Sequence, residues 1–274
     1  MRNLFLFIAI LFFSSLASAG FLQMQEQIIM SQNAGVDYTA DANCMGAWYM
    51  NGGLSANGDD ETDRSGEGGT LTETVGDIPN SADVSATYSG TSRDFEYTES
   101  EYLTHADGGS TDITGTALSI VAWIKTETIS NTVRYAIVSK NDVTTGYQYM
   151  LFLDGTAAGK YKIGAWIGAT PNTTYSTTTD YAQGTEQFIA VVYNGTDVRI
   201  YVDGILASDA DAYTTAIADK ACAFLIGASL NDSSALYYFD GLIDEVAVFD
   251  RELTATEVLD IKNNGISGDK GGSD

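Results

Sequence analysis

The feature that most constrains this chain is its punctuation. From Cys44 onward, short alternating or apolar runs are separated by the turn dipeptides Asn51-Gly52, Asn57-Gly58, Asp107-Gly108, Asp154-Gly155, Asn194-Gly195, Asp203-Gly204 and Asp240-Gly241. Strands spaced in this way are the pattern of a β-sandwich or barrel. The clearest unit is residues 188–193, then Asn194-Gly195, then Val198, Ile200 and Val202 alternating with Arg199, Tyr201 and Asp203. It predicts a hairpin, with Asn-Gly supplying the positive φ angles of a two-residue turn. Further strands are expected at 47–50, 118–125, 136–139, 147–153, 161–167, 223–226 and 242–249. One helix is expected near the C-terminus. Thr254 and Glu257 form a capping box, Val258 and Ile261 give an apolar side, and Asn263-Asn264-Gly265 stops it.

The first residues have a different character. Arg2, an apolar run over 4–13 and the triplet Ala17-Ser18-Ala19 have the layout of a secretory signal cleaved after Ala19. The run falls short of the roughly 20 residues a membrane span needs, so a secreted or cell-surface product is expected. Residues 20–43 read as a leader, either floppy or carrying a short packed helix with Leu22, Met24, Ile28 and Ile29 on one side. Residues 44–265 read as one domain, and 266–274 as a disordered tail. Against 13 Lys and Arg stand 37 Asp and Glu, a net charge of -24. Such a surface repels phosphate backbones and anionic lipid, which argues against nucleic acid and membranes as partners. Cys44 and Cys222 either pair, since disulfides persist after export, or remain as buried thiols.

The stretches 118–125 (LSIVAWIK), 137–140 (IVSK), 188–193 (FIAVVY), 198–204 (VRIYVDG), 239–246 (FDGLIDEV) and 253–257 (LTATE) resemble, in order and spacing, the laminin G-like modules of the concanavalin A-like jelly-roll superfamily. The resemblance implies an all-β, two-sheet antiparallel jelly-roll sandwich with one short C-terminal helix. Its curved face or rim loops would bind a glycan or a surface protein, often with calcium. Residues 63–68 (DRSGEG) are similar to the family's Asp-x-Ser-Gly-Asn-Gly turn, with Glu67 in place of Asn. By that resemblance Asp63 would join Asp244 in a calcium site; the alternative is a solvated acidic loop with Asp244 held by backbone donors. No EF-hand frame fits here.

The same jelly roll also carries glycoside hydrolases, which need two carboxylates facing each other across a cleft. Strand alternation puts Asp244 and Glu245 on opposite faces. The every-second-residue acidic ladder of laminarinase-type enzymes is missing, because Asp244 continues as Val246 and Val248, and Glu245 as Ala247 and Phe249. His105, the one histidine, has no nucleophile motif beside it and reads as structural or merely exposed. In 161–167, Tyr161, Ile163, Ala165 and Ile167 form a core face, which leaves Trp166 with Lys162 and Gly164 on the other. Trp166, with Tyr201 and Arg199 on the polar side of their strand, are the candidate ligand contacts; the alternative is aromatics packed against loops. Trp48 and Trp123 are expected to fill the sandwich. The expectation is therefore a non-catalytic binding module, with a self-assembling surface component as the alternative and a hydrolase third.

Overall fold

A computed structural model describes residues 35–52, 60–74, 78–82, 90–142, 146–168, 172–177, 181–209, 211–231 and 234–268. The secretory signal over 1–19 and the amphipathic stretch of the leader lie outside the described residues, as does the tail from 269 onward. Two antiparallel sheets face each other. The first runs Ile205–Leu206, Asp197–Val202, Glu186–Tyr193, Leu118–Thr126, Gly241–Phe249, Ser92–Phe95, Asn80–Ser81. Cys44–Trp48 also pairs with Gly241–Phe249. The second runs Asn172–Tyr175, Lys160–Ile167, Gly146–Ala157, Arg134–Asp142, Phe224–Ile226, Leu103–His105, Thr72–Glu73. Neighbours in each sheet are often far apart in sequence, the mark of a jelly roll rather than a meander.

Alternation sorts the side chains into layers. Tyr161, Ile163, Ala165 and Ile167 turn inward with Trp48, Ile120, Ile124, Val191 and Ile200 to make the core between the sheets. The outer face of the first sheet is also apolar. Val121, Trp123, Phe188, Ala190 and Tyr201 are covered there by Val258 and Ile261 of the helix Ala255–Asn264 and by Tyr38 and Ile266. Trp123 thus differs from expectation: it belongs to this covered outer layer, its ring 4.3 Å from that of Phe188. The helix has the expected capping box, Thr254 accepting from Glu257 N and Glu257 accepting from Thr254 N.

The packed body extends past 44–265 at both ends. Gly35 N donates to Gly268 O and Tyr38 N to Ile266 O, while the Tyr38 hydroxyl donates to Asp260. Ile266 is fully buried. The start of the expected tail is therefore part of the fold, because Ile266 completes the apolar layer under the helix.

The predicted 188–202 hairpin is present, but its turn works differently. Asn194 is outside the left-handed region and Gly195 is in it (φ +84). The Asn194 side chain accepts from Thr196 N and Asp197 N, so the loop is held by a side chain that mimics a backbone turn. The tight two-residue turn lies one strand later. Val202 pairs with Ile205 across Asp203 (φ +51) and Gly204 (φ +80), both in the left-handed region.

The cysteines do not pair. Cys44 lies in the layer under the helix, whereas Cys222 precedes a strand of the second sheet and gives its carbonyl to Lys140. Burial pushes Cys44 up to about 12, and pushes Cys222 up to about 11 against the opposing effect of the Lys140 ammonium.

Candidate functional site

The solvent side of an antiparallel sheet is ordinarily polar. The outer face of the second sheet is not. Register sets three rows across it: Thr173, Trp166 and Met150; then Tyr175, Gly164, Phe152 and Ala136; then Lys162, Asp154 and Arg134. Ala136, Met150, Phe152 and Trp166 form a buried cluster against which Tyr147, Tyr175 and Tyr237 pack partly buried. Glycine at 164 makes this possible. A Cβ there would sit 2.5 Å from the Phe152 ring and 3.0 Å from that of Tyr175, so both rings lie where a side chain would otherwise stand.

Arg134 covers the middle of the cluster. Its guanidinium carbon is 4.6 Å from the ring centroids of both Phe152 and Trp166, and 5.4 Å from that of Tyr237. Lys162 Nζ lies 5.0 Å over Tyr175. Cations over aromatic faces gain about 0.5–2 kcal/mol each, more as they lose water. Asp154 joins them, 3.5 Å from Arg134 Nη2, and it accepts from the Tyr175 hydroxyl at 2.9 Å. Burial, then Asp154, raises the Tyr175 pKa, with Arg134 pulling the other way. Two buried donors in this face, Arg134 Nε and Trp166 Nε1, have no hydrogen-bond partner in the structure. The arrangement offers apolar rings, acceptors and unspent donors together.

At the adjoining end of the sandwich is a cavity of about 260 Å³ lined by Glu96, Tyr97, Glu127, Tyr135 and Asp240 with several Ser and Thr hydroxyls. Val133 and Tyr135, on either side of Arg134, both line it. Carboxylate oxygens of Asp94, Glu96 and Glu127 lie within 4.8 Å of one another. The Glu96 pKa is raised, by burial first and then by the charges of Asp240, Glu127 and Glu99. A second acidic cluster, Asp107, Asp112 and Asp219, has its own cation: fully buried Lys140 reaches Asp107 at 3.1 Å and Asp112 at 2.5 Å.

The residues singled out from sequence are dispersed. Trp166 is on the expected face but only 9% exposed, because Arg134 and Tyr147 cover it; the accessible rings are Tyr147, Tyr175 and Tyr237. Tyr201, 5% exposed, packs under the helix side of the opposite sheet. Arg199 is tied there to Asp197 and Glu252. Neither shares a face with Trp166, so the three do not form one site.

Asp63 is filled by protein donors. It accepts from Ala47 N, Ser65 N, the Ser65 hydroxyl and Gly68 N, which pins the 61–71 loop to the first strand. Three of these donors reach Oδ1 and Gly68 N reaches Oδ2, and neither acidic cluster among the described residues contains Asp63 or Asp244. Asp244 is fully buried and accepts from Glu245 N. The alternation argument for Asp244 and Glu245 does not hold, because a β-bulge between Asp244 and Ala247, with Glu245 at φ +41, breaks the period of two. Glu245 instead accepts from Ile266 N. His105 packs its imidazole over Gly69, where a Cβ would be 1.9 Å away.

Two sheets of this topology, one outer face closed by a helix and the other left open and aromatic, define a lectin-like jelly-roll module. Residues 98–259 match the family model described as the concanavalin A-like lectin/glucanases superfamily, and the chain belongs to that family. No curated protein sequence matches it. Among solved structures it is similar to domain 4 of AbnA, a GH43 extracellular arabinanase from Geobacillus stearothermophilus, in complex with arabinotriose. That match has 17% identity and TM-score 0.56, and covers 80% of this chain and 98% of the other. It is also similar to the botulinum neurotoxin type G receptor binding domain (17% identity, TM-score 0.55, 81% of this chain and 51% of that one). A third is a Trypanosoma rangeli sialidase (12% identity, TM-score 0.56, 83% and 33%). The chain thus spans about half of the toxin domain and a third of the sialidase. At these identities the likeness is one of fold.

Proposed function

We propose that this protein is an exported, non-catalytic glycan-binding module whose ligand lies on the outer face of the second sheet. The observation that carries the reading is the open cluster of Tyr147, Tyr175 and Tyr237 around Arg134, on a face that alternation would otherwise make polar. Sugar rings place their C–H faces on such aromatics, and Asp154 and Arg134 supply partners for hydroxyls. The cavity acids extend the same surface with hydrogen-bond acceptors. The fold's likeness to a domain crystallised with arabinotriose is consistent with this use.

The test is a glycan array with the full chain, run with calcium and with chelator, beside Tyr175→Ala and Tyr237→Ala variants. Binding that falls at least tenfold in both variants supports the face as the site. Binding untouched by either moves the site elsewhere, and an empty array removes the glycan reading for the sugars tested. The chelator arm reports whether a cation takes part, and release of reducing sugar during incubation would favour a hydrolase. Self-association is favoured by a separate observation, the exposed Ile205, Leu206 and Leu259, of which Leu259 packs beside Gly204. Sedimentation of the wild type against Leu206→Ser and Leu259→Ser decides it.

A further inference from the structure

The geometry points to a carboxylate-bearing sugar as the ligand of this face, with Arg134 as the group that reads the carboxylate; the inference rests on the glycan reading above. Arg134 is one of 13 cations in a chain of 37 acids, yet it is spent on no tight ion pair. Its one ion pair among the described residues, to Asp154, is long at 3.5 Å. Other arginines of the chain are held closer, as in Arg93 to Glu61 at 2.6 Å and Arg251 to Asp41 at 2.6 Å. Its Nε has no partner. Three rings pack round the guanidinium carbon and leave the side chain 22% exposed, so part of the ordering and desolvation that a bidentate contact costs is met before a ligand arrives.

A planar carboxylate matches that fork, whereas a hydroxyl uses only one of its donors. Lys162, the register neighbour of Asp154 on the next strand, adds a second positive charge over Tyr175. Overall charge opposes any anionic ligand at long range, but at physiological salt such repulsion is screened beyond about 8 Å, while a partly buried contact is screened much less. The local pair therefore decides. Asp154 acts as a stand-in carboxylate that the ligand displaces from Arg134.

Uronic acids within a polysaccharide and sialic acids at a glycan terminus offer the same group, so the panel holds both. Each oligosaccharide is titrated by calorimetry into the full chain beside its carboxyl-reduced counterpart. The expected result is at least a tenfold weaker affinity on carboxyl reduction for one of the two series, which also identifies the source. Asp154→Asn frees the guanidinium and is expected to tighten the carboxylated member a few fold while leaving the reduced one unchanged, a gain that misfolding does not produce. Arg134→Met is expected to erase the preference. Equal affinity for native and reduced sugars, or no gain in Asp154→Asn, overturns the inference and leaves the glycan reading standing. No binding by any member, neutral sugars included, overturns both.

Discussion

Glu245 offers a stability test whose sign and size follow from the structure. It sits on the bulge of Gly241–Phe249, 1% exposed, with an oxygen accepting from Ile266 N. Burial raises its pKa from an ordinary 4.5 to about 7, only partly offset by the hydrogen bond from Ile266. A carboxyl whose folded pKa is raised holds its proton longer in the native state than in the unfolded chain. Its contribution to stability is whole below the unfolded pKa, declines as pH rises from about 4.5, and is lost above about 7. At 1.36 kcal/mol per unit, that shift amounts to about 3 kcal/mol. Glu245→Gln keeps an acceptor for Ile266 and removes the ionisation. Urea unfolding of both proteins at pH 4, 5.5, 7 and 8 is expected to show similar stabilities at pH 4. At pH 8 the variant should be ahead by up to about 3 kcal/mol, less whatever the new amide protons cost. Taking the difference between the two proteins cancels the other titrating acids, including Glu101, which burial also raises to about 7. A difference that stays flat within 1 kcal/mol from pH 4 to 8 would refute the claim that the bulge buries an ionised carboxylate at a cost.

Three further outcomes follow from named contacts. Lys140→Met leaves Asp107, Asp112 and the Cys222 carbonyl without their buried ammonium and is expected to cost about 3 kcal/mol in urea unfolding, the lower end of the range for breaking a buried pair because both acids keep some water. Thr254→Ala removes the acceptor for Glu257 N and is expected to cost about 1 kcal/mol by the same assay. Both thiols should resist a thiol reagent in the native protein at pH 8 and react fully in denaturant without prior reduction; one equivalent of disulfide found by mass would contradict the structure.

The architecture was legible because it rests on local signals that no tertiary contact overrides. Alternation in 161–167 sorted four core residues from Trp166 correctly, and the capping box placed the helix start. The candidate site was less legible, and bulges are the reason. On Gly146–Ala157, Lys140 pairs with Tyr149 and Asn141 with Tyr147, so Gln148 is an extra residue. It carries Tyr147 onto the outer face, opposite to its parity with Tyr149. On Arg134–Asp142 a second bulge at Ile137 separates outward Ala136 from inward Val138. Arg134 lies on the far side of that bulge, and Tyr237 reaches the cluster from a distant loop through Ala136 N to Tyr237 O at 2.7 Å. No period-two reading can bring these residues together. Tyr201 failed for another reason: a polar neighbour at 199 reads as a solvent face, whereas the helix covers that strand only at Tyr201.

The two outer faces explain each other. A sandwich with both outer faces apolar would expose a surface prone to association. The chain closes one of them with the helix, residues 35–43 and Ile266. On the other, Tyr237 is the one residue brought up from a distant loop among the described residues, and Arg134 and Lys162 lie across the rings instead of a helix. A cation is a partial cover: it shields the aromatic faces from water and from one another while keeping donors turned to solvent. An aliphatic residue at 134 would hide the rings as well but leave nothing to recognise a polar ligand. On the proposed reading, arginine at that position is what would turn a packing solution into a binding surface.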